Sequence, residues 1–122
     1  MKLTTSLFVL GLGAAAPAYA AERAHESDVM SLGYVGQIVS KAEEICPGLK
    51  ADQDKLEIGI RIAGMDFHNP VDTVIFTKGV QQSMNDIEND IKHWGREEWC
   101  RGAKALYGPT GEKIPGLLKQ SK

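Results

Sequence analysis

Phe76, Val80, Met84, Ile87, Ile91 and Trp94 follow one another at intervals of four, four, three, four and three, the period of one helical face. Asn69-Pro70 opens the run with a capping side chain and a proline at the first helical position, and Asp72 adds a carboxylate where the helix dipole favours one. A helix this long has to bury its apolar stripe against other elements, and only one other stretch of chain alternates like a strand. There, Leu56, Ile58, Ile60 and Ile62 are separated by Glu57, Gly59 and Arg61, while Leu56, Ile60, Ala63 and Phe67 equally mark a helical face. A lone strand is not stable, and Ala51-Asp52-Gln53-Asp54 resembles a helix start, so residues 51–67 are read as a helix.

The remaining segments fit the same plan. Leu32, Val35, Val39, Ala42 and Cys46 line one side of a first helix, with Ser27 as its expected N-cap, Asp28 in its first turn, and Pro47-Gly48 at its end. Gly33 and Gly36 lie inside that helix at about 1 kcal/mol each, a cost that close approach of another backbone would explain. Gly79 is expected to kink the long helix, whose other side carries Gln82, Asn85, Asp86, Glu88, Asn89 and Asp90. That side reads as a solvated face, with an acidic docking patch as the alternative. After Gly95, Arg96 to Tyr107 form a last helix with Trp99, Ala103 and Leu106 inward, stopped by Gly108-Pro109. Ile114 to Leu118 is too short for an element and is expected to pack its apolar residues back on the bundle. The expected fold is all-α: a small bundle of about four helices.

Residues 1–20 read as a cleaved secretory signal: Lys2, an uncharged apolar run from Leu3 to Leu12, then Ala18-Tyr19-Ala20. Residues 21–122 then form a single helical domain with a frayed polar lead over residues 21–26 and an apolar tail. Removing Lys2 from the 14 Lys and Arg leaves 13 against 16 Asp and Glu, a formal charge of −3. Such a balance provides no basic field for nucleic acid, and no later stretch is apolar and long enough to remain in a membrane. The expected compartment is the periplasm.

Export decides how the two cysteines are read. Cys46 falls on the buried line of the first helix, and Cys100 is in register with Ala103 and Tyr107 on the last. Exported thiols in such positions pair. A Cys46–Cys100 bridge would close a loop of about 55 residues and stabilise the fold by roughly 4 kcal/mol. Separate buried thiols or a regulatory redox pair are the alternatives. A catalytic disulfide is disfavoured, because the cysteines are 54 positions apart and not in Cys-x-x-Cys.

Little else points to chemistry. His25, His68 and His93 have no metal-ligand spacing; His68 and His93 are the weak metal candidates, because Asp66-x-His68 and His93 each lie near a helix end. No Gly-x-Ser-x-Gly or phosphate loop occurs, and Glu43-Glu44, Asp86, Glu88, Asp90 and Glu97-Glu98 are neighbours on polar faces rather than pairs across a cleft. Trp94 and Trp99, flanked by Lys92, Arg96 and Arg101, are read as core packing around Cys100 rather than a base-stacking platform. No catalytic residue and no cofactor is assigned.

Ile45-Cys46-Pro47-Gly48-Leu49, Trp99-Cys100, Tyr107-Gly108-Pro109 and Ile114 to Leu118 together resemble a group of small exported bacterial two-cysteine helical proteins. The resemblance implies a fold and a compartment but no reaction. The gross plan is also similar to that of periplasmic acid-stress chaperones and periplasmic immunity proteins, with no functional motif of either in these residues. The expected function is non-enzymatic binding of an envelope protein. The alternatives are an acid-stress chaperone and a small hydrolase or metal-dependent enzyme.

Overall fold

A computed structural model describes the backbone of residues 2–121 and the side chains of residues 21–121. The leader expected over residues 1–20 lies outside the residues whose side chains are described. The architecture is all-α, with four helices: α1 (Lys2–Ile45), α2 (Gln53–Ala63), α3 (Pro70–Trp94) and α4 (Arg96–Tyr107). Two three-residue strands complete it, β1 (Leu49–Ala51) and β2 (Leu118–Gln120).

The start of the first packed helix differs from the sequence expectation. Residues 21–26 are not a frayed lead and Ser27 is not an N-cap, for α1 runs through both. Ala, Glu and Arg in that stretch are good helix formers, and nothing there interrupts the backbone ladder. α1 ends at Pro47-Gly48 as expected, with Gly48 at φ 75° turning the chain into β1. Asp52 caps α2 by accepting the Lys55 N–H, and left-handed Gly64 closes it through Arg61 and Ile60 carbonyls, so the ambiguous segment is a helix over residues 53–63, while Ala51 belongs to β1 and Phe67 lies beyond the helix end. Asn69 caps α3 by accepting the Val71 N–H at 2.9 Å.

α1 and α3 run in the same direction, since the residue pairs His25–Asp72, Met30–Gly79 and Tyr34–Asp86 rise together along both helices. Their crossing is built on two glycines. A Cβ on Gly33 would stand 2.3 Å from the Phe76 carbonyl oxygen, and one on Gly79 would stand 2.1 Å from that of Met30. Close backbone approach is therefore the reason for Gly33, and Gly79 serves the same crossing within one continuous helix. Gly36 has no such contact.

This crossing moves the buried line of α3 away from the apolar stripe. The buried residues are Asp72, Ile75, Gly79, Ser83 and Ile87. Phe76, Val80 and Ile91 flank the seam half-buried, while Met84 and Trp94 are exposed, Trp94 at 71%. Where backbones approach most closely only small side chains fit, so the largest apolar residues are displaced to the sides.

Cys46 and Cys100 are joined in a disulfide with their Cα atoms 5.5 Å apart. Around it lies the larger core cluster: Val39, Ala42, Leu49, Ala51, Ala103, Tyr107, Leu117 and Leu118. The tail packs back as expected, but it also forms an element. β2 pairs antiparallel with β1, Ala51 opposite Leu118 and Leu49 opposite Gln120. An isolated ribbon of this size would not hold, and here its buried Leu49, Ala51 and Leu118 anchor it to the disulfide cluster. A smaller cluster of Val29, Met65 and Ile75 lies at the other end, between α1, the α2–α3 turn and α3.

Candidate functional site

α2 contains no fully buried residue. Leu56 and Ile60 lean on the two core clusters, while Ile58 and Ile62 lie on another side of the helix and are 50% and 80% exposed. The strand-like alternation in the sequence is thus two apolar stripes on one helix, one turned to the core and one outward. The outward stripe forms one wall of a groove of about 620 Å³, whose other walls are α1 at Leu32 and Val35 and the tail at Ile114 and Pro115. Gly36 and Gly59 also line it; a Cβ on the first would touch nothing within 4 Å, and one on the second only the end of Leu32. Asp28, Ser31 and Lys55 are its polar side chains, and Lys55 Nζ donates to the Pro115 carbonyl at 3.0 Å, fastening the tail to α2. With apolar walls and one charge of each sign, the groove is suited to bind an apolar surface.

A second constellation lies near the Ala63 end of the groove. His25 Nε2 and Asp72 Oδ1 are 2.9 Å apart, and Asp72 Oδ2 accepts the Asp66 N–H at 3.0 Å. The His25 ring also lies against the end of α2, 3.9 Å from where a Cβ on Gly64 would stand. The hydrogen bond to Asp72 raises the His25 pKa above its ordinary value, against the opposing effect of burial. The Asp66 N–H, followed by His25, holds Asp72 below the usual carboxylate range. One histidine thereby clasps α1 to the end of α2 and the first turn of α3.

The metal candidates do not converge. His68 precedes α3 and its N–H is held by Asp66 Oδ1, whereas His93 lies in the last turn and bonds the Asn89 carbonyl. A helix of 25 residues separates them by roughly 35 Å, far beyond a shared coordination sphere. Among the described residues no group of three His, Cys, Asp or Glu side chains is placed to hold a metal ion.

Two features of the site were out of reach of sequence reasoning. His25 and Asp72 are 47 positions apart and belong to no local spacing. Ile58 and Ile62 alternate with polar residues in the sequence, but that pattern does not show which side of a helix is left uncovered. Compared with protein-family models, curated proteins and solved structures, the chain matches none of them.

Proposed function

We propose that this is an exported protein of the bacterial envelope, acting in the periplasm by binding another protein rather than by catalysing a reaction. The observation that carries this reading is the apolar groove walled by Ile58 and Ile62 on a helix that buries no residue fully. An apolar helical segment of a partner is the occupant that suits it. Gly33 and Gly79 already let two helices of this molecule meet backbone to backbone, and Gly36 and Gly59 leave the groove floor equally clear. The disulfide and the absence, among the described residues, of any helix long and apolar enough to cross a membrane are compatible with the compartment.

The test is affinity capture from envelope extract with the oxidised chain and with an Ile58→Asp, Ile62→Asp variant. Both positions are exposed, so the variant is expected to keep its thermal midpoint while losing saturable capture. Equal capture by both proteins would remove the groove from the reading.

The clasp favours a second reading, an acid-activated chaperone. Below the carboxylate range residues 21–122 carry 13 Lys and Arg plus three His, a formal +16, and Asp72 no longer holds His25. The bridge would keep the far end closed while Val29, Met65 and Ile75 become available to clients. Dye binding and client protection should then rise together below about pH 3.

A further inference from the structure

We infer that a second groove, between α3, α4 and α1, binds a guanidinium group presented by an arginine side chain of a protein ligand. It encloses about 530 Å³ and shares no lining residue with the apolar groove. Its walls are aromatic: Trp94, Trp99, Tyr34 and Tyr107. Tyr107 is buried to 1% exposure and the Tyr34 hydroxyl donates to Asp86, so both rings are fixed. Trp94 stands apart, because a side chain 71% exposed contributes little to the fold that surrounds it.

The polar lining selects the ligand. Asp90 lies four residues before Trp94 on α3, hence on the same face one turn away. Among the described residues Asp90 makes no hydrogen bond or ion pair, whereas Glu98, the other acid of the groove, is already paired with Arg101. An apolar occupant would strip water from the Asp90 carboxylate and give nothing in return. A guanidinium satisfies both neighbours at once, stacking its flat face on the indole and donating two N–H groups to the carboxylate. An ammonium cannot do both as well. Lys113 is the one cation of the lining, against the two acids Asp90 and Glu98.

The chain has two tryptophans, both in this groove, so its intrinsic fluorescence reports on the site. The full oxidised chain is titrated with an acetylated Gly-Arg-Gly amide, with its lysine counterpart, and with the disaccharide of N-acetylglucosamine. A single side chain binds weakly, so a saturable change at about 1 mM is expected for the arginine peptide. The lysine peptide should bind at least about threefold more weakly. Asp90→Asn should weaken the arginine peptide by about tenfold, as should Trp94→Ala read by calorimetry. Both substitutions are at the surface, and unchanged thermal midpoints establish that the variants are folded. Ile62→Asp should leave this binding intact, which separates it from the fate of the apolar groove. No saturable change, equal binding by Asp90→Asn, or saturation by the disaccharide in place of the peptide would overturn the inference.

Discussion

The two ends of the bundle are held by different chemistry. At one end a covalent bridge sits inside a cluster of nine buried residues, reinforced by the β1–β2 ribbon. At the other, three buried residues and one His–Asp hydrogen bond join α1 to the α2–α3 turn. The first depends on redox state and hardly on pH; the second depends on pH and not on redox state. α2 spans the two ends with no fully buried residue of its own, Leu56 packed on the larger cluster and Ile60 on the smaller.

The largest effect should come from opening the bridge. Replacing both cysteines by alanine removes a cross-link over 54 positions, and loop entropy puts the loss at roughly 4 kcal/mol. A denaturant titration of the double variant against the oxidised chain measures it. If the loss is under about 1 kcal/mol, the covalent end is not the stronger one and the contrast between the ends fails.

Next comes the crossing that runs between the ends. Gly79→Ala would press a methyl against the Met30 backbone, and Gly33→Ala would do the same at Phe76. Each should cost about 1–3 kcal/mol by overpacking, against the gain of about 1 kcal/mol that alanine brings to an ordinary helix interior. Their effects should not add, because both act on one contact. Stabilisation by either substitution would show that the helices are not held this close.

The pH dependence distinguishes the ends most directly. Asp72, lowered chiefly by the Asp66 N–H and then by His25, contributes stability above about pH 4 and loses it as pH falls through its folded value. His25, raised chiefly by its hydrogen bond to Asp72, contributes fully below about pH 6.5 and loses it as pH rises through its own. The clasp is strongest between those limits. Amide protection factors, the exchange rates corrected for the intrinsic pH dependence, should be highest in that window near Met65, Asp66 and Ile75, and His25→Ala should flatten the profile there. Amides of Ala103 and Tyr107, beside the bridge, should show no such optimum. A parallel change at both ends would mean that the bundle opens as one unit.

The sequence carried the elements better than the surfaces between them. Caps and stops at Asn69, Pro70, Pro47 and Gly108 are local chemistry, and the helices they bound are where those residues place them. The bridge is legible because both cysteines fall on inward helical lines and because reading residues 1–20 as a leader favours an oxidising compartment. The seam of α1 and α3 was not, because hydrophobic periodicity follows large side chains and the tightest contact is made of Gly33, Gly79 and Ser83. Trp94 continues the apolar period of α3 and so reads as core, yet it lines an open groove and is 71% exposed. The ribbon joins three-residue strands with 66 positions between Ala51 and its partner Leu118, too short and too distant for any period to register. His25 and Asp72 meet only because α1 and α3 lie side by side.

The smallest expected effect is the most discriminating, since it contrasts two glycines three positions apart on one helix. Gly33 lies beneath α3, whereas a Cβ at Gly36 would meet nothing within 4 Å and would project into the groove beside Ile58 and Ile62. Gly36→Ala should therefore stabilise the protein by about 0.5–1 kcal/mol, the ordinary helix-propensity gain, where Gly33→Ala destabilises it. The same methyl raises the groove floor, so partner capture should weaken as the thermal midpoint rises. A more stable protein that captures its partner as well as before would show that Gly36 is a cost without a function, and that the occupant sits higher on the isoleucine wall. Opposite changes in stability and binding would tie the price of a glycine in α1 to the surface it keeps open.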